Sequence, residues 1–377
     1  MLDYNYIKTL TNSIKKKLQL VFKTIGYNLY FLIYGKITGV INSNNHKNIK
    51  VKKVIFSNKI PYKIYSIFNS RIYTDTVKDT AFIIDNKIIE GPSFQHRELR
   101  NSDAKNNIVL TKGTPKKNIK INGSVFSLLS GGGANSNYWH WMFDVLPRLE
   151  ILKKNENLGE IDYFLFPDVA EKYQKETLDV LNIPYSKRLS SIKYRHIESK
   201  KVMAVDHPYV LKNNPAVEIT NIPLWIINFL RKSFLKKDQN KNGFSKKFYI
   251  DRKDSKSNVS YARKIINEDE VKSLLLQDGY SIITLSELSF VDQVNLFNNA
   301  THIVGLHGAG FANFSFCEPK TMVLELKPIS AGPVCENLAK NLNLDYKEIS
   351  KPSINSLFQK QQGHIEIPLD ELKQKIR

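Results

Sequence analysis

The spacing of apolar residues changes character along the chain. Near the start, Leu18, Val21, Phe22, Ile25, Leu29, Leu32 and Ile33 recur at helical spacing. The next part reads as strands and turns. Thr80 to Gly91 alternates around Asp85-Asn86, as a hairpin does. Ile121 to Ser130 reads as a strand running into Gly131-Gly132-Gly133. Ile161 to Pro167 is a short apolar run of buried-strand type, Val169 to Leu181 a helix, and Lys200 to Val205 another strand. Pro223 to Lys237 is a predicted helix with proline near its first turn, followed by a polar, basic loop.

Beyond that loop the alternation is regular. Lys247 to Ile250, Tyr280 to Leu285, His302 to Leu306 and Thr321 to Pro328 read as strands. Between them come predicted helices at Asn267 to Gly279, with acids first and glycine last, at Ser289 to Ala300, and after the glycine turn at Gly308. Such alternation predicts a parallel sheet with helices on both faces. The tail, Lys351 to Arg377, is rich in Gln and Lys and reads as ending in a helix. We find no internal repeat.

With 377 residues, 42% hydrophobic and 11% aromatic, the chain suits about two packed domains and is not a disordered polymer. Cys317 and Cys335 have no CxxC spacing, so we expect reduced, partly buried thiols in a cytosolic protein, and neither a disulfide framework nor a zinc site. The net charge of +20 is concentrated in two islands: residues 1–60 carry 11 Lys and one acid, and residues 226–264 carry 12 Lys plus Arg and three acids. Two islands suggest two anionic partners and do not suggest a basic stripe interleaved with aromatics, as nucleic-acid binding would require. No signal-peptide pattern is seen at the start. Gln19, Lys23 and Asn28 interrupt the first apolar stretch, making it a poor membrane span. Two readings stay open for it: a helix lying on an anionic membrane surface, or one packed on its own domain.

Three places carry chemistry. In His302 to Phe314 a buried strand ends in Gly305, and His307-Gly308-Ala309-Gly310 turns toward a helix. Small residues admit a ligand close to the backbone, and free helix N–H groups attract an anion. No GxGxxG and no Walker lysine accompany it. Arg252 lies just past a strand and Arg263 just before a helix, and guanidinium forks suit phosphate oxygens. In Asn137 to Asp144, His140 and Asp144 stand four apart, on one face of a helix, with Trp139 and Trp141 flanking His140 as an aromatic wall. Each has a plainer reading: a tight turn, surface charge, or a core helix with one His–Asp pair.

Taken together, NYWHWMFDVLPRL, FYIDR, YARKIINEDE and LSFVDQVNLFNNATHIVGLHGAGFANFSFCEPKTMVLEL resemble the pattern of glycosyltransferase family 61, of the bacterial polysaccharide type, in the expected order over about residues 131–326. The resemblance implies an α/β chain of GT-B type, with two Rossmann-like domains facing a cleft. It implies inverting transfer from a nucleotide sugar, usually UDP-linked, with sugars such as xylose, arabinose or N-acetylglucosamine. By matching motif, Arg252, Arg263, His307, Gly308, Ala309, Gly310 and Asn313 fall at the donor diphosphate, and Glu325 near the ribose. Asp144 is the implied general base, with His140 as orienter or alternate base, and Asn137, Tyr138 and Trp139 on the acceptor side. Phe311 stands where Leu is usual, Asp251 where Ser is common in eukaryotic relatives, and the first 100 residues match nothing placed.

The resulting expectation has four segments: a basic amphipathic 1–50, an acceptor-side domain 51–222, a nucleotide-sugar domain 223–350, and a tail 351–377 packing back. The implied reaction is one displacement by a glycan or lipid-linked glycan hydroxyl, in capsule or lipopolysaccharide synthesis. It would take place in the cytoplasm or at the inner face of its membrane. No cofactor and no metal are expected, since no DxD occurs and arginines would take the metal's place. Two other classes are carried alongside: a basic nucleic-acid-binding protein, and an inactive scaffold of the same fold.

Overall fold

The computed structural model describes residues 4–57, 59–75, 79–93, 103–129, 136–212, 215–236, 243–255, 263–354 and 363–377. The glycine run 131–133 and most of the basic loop, 237–242, lie outside these.

A 31-residue helix, Tyr4–Tyr34, opens the chain. Only its end docks. The Tyr34 hydroxyl accepts the Asn118 N–H at 2.8 Å, and the ring meets His196 edge-on at 5.0 Å. Ile14, Leu18, Val21, Ile25, Leu29 and Leu32 are exposed along it. Among the described residues no helix is long and apolar enough to cross a membrane.

Nine strands then build a mixed sheet: β1 (Val40–Ile41), β2 (Ile49–Ile55), β3 (Pro61–Thr74), β4 (Thr80–Ile84), β5 (Lys87–Ile89), β6 (Ile119–Ser127), β7 (Tyr163–Phe166), β8 (Arg188–Ser190) and β9 (His196–Val205). The order is β1-β5-β4-β3-β9-β6-β7-β8, with β2 alongside β3. One half, β9-β6-β7-β8, is parallel, whereas β3 runs antiparallel to β2, β4 and β9. The β4–β5 hairpin turns at Asp85 and Asn86, with φ of 46° and 54°, as a tight two-residue hairpin turn requires.

The second sheet has five strands, all parallel: β10 (Lys247–Asp251), β11 (Ser281–Thr284), β12 (His302–Leu306), β13 (Met322–Pro328) and β14 (Asp345–Lys351), ordered β11-β10-β12-β13-β14. The helices Glu268–Gln277, Phe290–Asn299 and Val334–Asn341 connect them. Ser289 caps the second of these by accepting the Asp292 N–H at 3.1 Å. The chain leaves β10 for β11 on one side, then crosses to β12 on the other. In a doubly wound sheet of this order, the crevice for ligands opens at the carboxyl ends of the two strands where direction reverses, here β10 and β12.

The helix expected after Gly308 is a tighter 3₁₀ helix, Ala309–Phe316. Three residues per turn bring Phe311 and Phe314 over one another, and their rings stack at 4.6 Å. Residues of both sheets share one apolar cluster, including Phe126, Trp141 and Phe164 from the first half and Phe248, Phe297 and Ile303 from the second. From the tail, Ile365, Ile367, Leu372 and Ile376 are buried with Val271, Leu275 and Leu326.

Candidate active site

Asn137 starts the first functional segment by accepting the Trp139 N–H at 2.9 Å. One α-turn, Tyr138–His140, follows. The expected α-helix then widens into a π-helical turn, Trp141–Val145, in which the Leu146 N–H reaches back to the Trp141 carbonyl at 3.1 Å. Pro147 supplies the reason: it has no N–H to give and its ring crowds the carbonyl four residues back, so the turn opens before the helix Pro147–Lys153 begins.

His140 and Asp144 still meet, at 2.8 Å between Nδ1 and Oδ2. The carboxylate is 2% exposed. Its Oδ1 accepts the Tyr209 hydroxyl, His207 Nε2 lies 3.6 Å from Oδ2, and Arg148 Nε donates to the Asp144 carbonyl at 2.9 Å. Burial alone would raise the Asp144 pKa, but His140 and His207 overcome it and hold the carboxyl well below the usual carboxylate range. Burial would lower His140, and the Asp144 charge outweighs it, so the imidazole pKa is raised above 6.5. Each partner thus favours the charged form of the other: Asp144 as an anion and His140 as a cation. Of the two side chains His140 is the more accessible, 15% against 3%. A neutral imidazole donating at Nδ1 carries its lone pair on Nε2, the arrangement a general base needs.

The second group sits at the ends of β10 and β12. Arg252 follows β10 and donates from Nη1 to the His307 carbonyl at 3.0 Å and from Nε to Ser255 at 3.3 Å. Gly308 is extended, and a Cβ there would stand 3.5 Å from the Arg252 guanidinium carbon. Arg263 is also half-buried. Burial first, and then the like charge of Arg252, pull its pKa down to about 9. Burial lowers the Arg252 pKa as well, while Tyr249, Asp254 and Glu268 act to raise it; two guanidiniums near a sheet's switch point form a site suited to a polyanion.

Behind them lies a buried polar cluster. His307 Nδ1 bonds Glu325, which faces Gly305 across the β12–β13 pairing, and Tyr346 donates to Glu325 Oε2 at 2.5 Å. Burial raises the Glu325 pKa, yet His307 and Tyr346 bring it below the ordinary value. Cys335 Sγ is 3.7 Å from His307 Nδ1. Among the described residues, His307, Glu325 and Cys335 are the group with ligand atoms close enough, within 4.8 Å, to hold a metal ion. Burial pushes the Cys335 thiol well above its ordinary pKa, which opposes the thiolate a metal would want, and Arg263 adds positive charge beside it.

The two groups are physically joined. The Tyr138 hydroxyl donates to Asn313 Oδ1 at 2.6 Å, linking the aromatic block to the segment after Gly308. Residues 138–324, which hold both groups, match the family model described as Glycosyltransferase 61. An EGF domain-specific O-linked N-acetylglucosamine transferase of Mus musculus is 30% identical over 107 residues, covering 27% of this chain and 20% of that enzyme. The match thus spans about a fifth of that relative's length. Together these show a segment similar to family 61 glycosyltransferases.

The sequence-expected residues divide by burial. Arg252 meets the His307 carbonyl and stands beside Gly308, and Arg263 is near enough for the Arg252 charge to act on it. Asn313 is fully buried, with its amide engaged by Tyr138 and Gln293. Glu325 is fully buried and held by His307 and Tyr346, and Gly310 sits against Leu285. Ala309 is half-buried at the start of the 3₁₀ helix. Asn137 uses its side chain as a cap. The aromatic wall is largely core: Trp139 packs on Phe143 with ring centroids 4.7 Å apart, and Trp141 is fully buried, its indole N–H bonded to Thr177. Both cysteines are free and buried.

His207, Tyr209 and Arg148 were not singled out from the sequence. The available signal was a run of polar groups, Asp206-His207-Pro208-Tyr209, directly after the buried strand β9.

The pair gives a pH prediction. Asp144, with its pKa depressed, contributes stability above the unfolded value of 3.8 and loses it as pH falls toward the folded pKa. His140, with its pKa raised, contributes fully below 6.5 and loses it as pH rises through the folded value. The pair therefore stabilises most between those two limits. We expect imidazole NMR to show His140 titrating above 6.5 in the wild type and at lower pH in Asp144→Asn; unchanged titration in that variant would break the coupling.

Proposed function

We propose that the chain is an inverting, metal-independent transferase that moves a sugar from a UDP-sugar to a glycan hydroxyl, as in cell-surface polysaccharide synthesis. The observation that carries this is the Arg252 guanidinium held against the His307 carbonyl and beside Gly308 at the switch point, with Arg263 near enough for the Arg252 charge to act on it. A diphosphate leaving group has the charge and the oxygen geometry that guanidinium forks receive. Hexosyl or pentosyl donors fit this reading equally. The sheet at 223–350 holds the nucleotide sugar, residues 51–222 face it as the acceptor side, and the pair forms a GT-B-type cleft.

In this reading His140 accepts the proton of the acceptor hydroxyl at Nε2, and Asp144 orients the imidazole and stabilises it once charged. These roles reverse those inferred from the sequence, because both oxygens of Asp144 are occupied by Tyr209 and the histidines. The hydroxyl oxygen attacks the anomeric carbon from the face opposite UDP, that carbon's bond to the diphosphate oxygen breaks, and the anomeric configuration inverts. Arg252, Arg263 and the backbone N–H groups near Gly308 to Gly310 stabilise the charge that develops on the departing diphosphate. The arginines supply the charge a metal would otherwise bring. The relative's name, an O-linked N-acetylglucosamine transferase, supports transfer to a hydroxyl oxygen.

We also propose that the opening helix rests on an anionic bilayer at the inner face of the cytoplasmic membrane. It exposes Leu18, Val21 and Ile25 together with Lys15 and Lys17, the combination that binds such surfaces.

UDP at about 100 times its dissociation constant should stabilise the protein by about 2.7 kcal/mol in a thermal-shift assay, with or without EDTA. Arg252→Ala and Arg263→Ala should each weaken UDP about 10- to 100-fold, the scale of a lost bond to a charged group. His140→Ala should lower turnover by about 10² or more while UDP affinity holds. A UDP shift that vanishes with EDTA would overturn metal independence, and intact affinity in both arginine variants would overturn the diphosphate assignment. The membrane proposal predicts co-sedimentation with phosphatidylglycerol vesicles but not phosphatidylcholine vesicles, lost on deleting residues 1–34; equal binding to both would refute it.

A further inference from the structure

Three neighbouring strands of the first sheet lose regularity at one level. In β3, Asn69 takes a left-handed conformation, φ 52°. In β6 the register slips between Ile121 and Ser124, and Gly123 has φ 132°. In β9, between them, Ser199 is buried and its hydroxyl reaches the Gly123 carbonyl at 2.5 Å. Irregularities of this kind bend a sheet and re-aim its side chains, and a non-glycine residue at positive φ inside a strand is uncommon. The bend opens a recess of about 810 Å³, lined in part by Asn69, Asn122 and Lys200 from the three irregular strands. That volume is within the ~300–1,000 Å³ of ordinary ligand sites.

The recess is separate from the transfer centre. It lies toward the starts of β6 and β9, while His207 and Tyr209 come after the end of β9. Eight residues of extended chain from Ser199 to His207 span about 26 Å.

Its lining is rich in paired donors and acceptors. Asn118 Nδ2 donates to Glu198 at 2.5 Å, while its Oδ1 is buried with no hydrogen-bond partner. Arg71 bonds the Asn86 side chain and lies 5.9 Å from the ring of Tyr34, which forms part of the wall. Amides, a guanidinium and a carboxylate around an aromatic ring match the adjacent hydroxyls and apolar ring face of a sugar. Charges of both signs line the recess, Arg71, Lys120 and Lys200 with Asp85 and Glu198, and most of the remaining polar lining is amide.

We propose that this recess is a second saccharide site, which holds a segment of a glycan away from the point of transfer. The class of occupant rests on the glycosyltransferase reading above. Such a site would keep a growing chain attached between transfers and raise the local concentration of its end at His140.

The test is saturation-transfer NMR on the full chain with chitotetraose, xylotetraose, cellotetraose and mannotetraose as probes. We expect at least one to bind, and to bind unchanged in Arg252→Ala and with excess UDP. Asn122→Trp, which fills the recess from an exposed position, and Asn118→Ala should each weaken it about tenfold or more. Lys200→Glu, at an exposed rim position, provides a variant that leaves the packing of the sheet alone and should also weaken the probe. Binding of none of the four, or equal binding to wild type and Asn122→Trp, would overturn the proposal. If UDP binds and no tetrasaccharide does, only the recess assignment falls; if UDP also fails to bind, the transferase reading falls with it.

Discussion

Two like charges held close together, half out of water, set the constraint on which the catalytic reading depends. Arg252 is fixed by the His307 carbonyl, and Arg263 stands near enough to feel it. Asp254 and Glu268 act on Arg252, and Glu325, bonded to His307 and Tyr346, acts on Arg263. The fold thus brings two guanidiniums to the ends of β10 and β12. A site of that kind is at its most stable with an anion in it. The parallel order β11-β10-β12 is what makes the arrangement, because it brings the ends of β10 and β12 side by side.

The other half of the molecule solves the opposite problem. Asp144 is a buried carboxylate, and an unpaired one would cost several kcal/mol. Tyr209, His207 and His140 surround it, drawn from the loop after β9 and from the aromatic helix start. The charge that is expensive to bury raises the basicity of His140, the more accessible member of the group. Tyr138, two residues before His140, bonds Asn313 across the two halves, so the segment that carries His140 and the segment after Gly308 are mechanically linked.

Much of the second sheet was legible because buried parallel strands appear as short apolar runs. His302 to Leu306 and Met322 to Pro328 are such runs, and Ser289 and Gly279 mark helix ends. Arg252, His307 and Gly308 were legible from position alone, directly after strands. The edge strand β14 was missed because only Ile349 in it is buried, leaving no apolar run to see. The π-helical turn was not foreseen, although Pro147 is its cause. His207 and Tyr209 were missed for a different reason: Tyr209 lies 65 residues from Asp144 and meets it only through the return of β9. The flanking tryptophans were read as a sugar platform, but rings that large serve the core where helix and sheet meet. The bends at Asn69 and Gly123 leave almost no trace in the sequence, since Asn and Gly in strands have many other uses.

The most direct test of the account compares UDP with UMP by isothermal titration calorimetry, in the wild type and in Arg263→Gln. If the arginine pair is a diphosphate site, UDP binds at least about tenfold more tightly than UMP, and the difference shrinks sharply in the variant. Equal affinity for UDP and UMP in the wild type would contradict the central claim, because the extra phosphate would then have met no charge built to receive it.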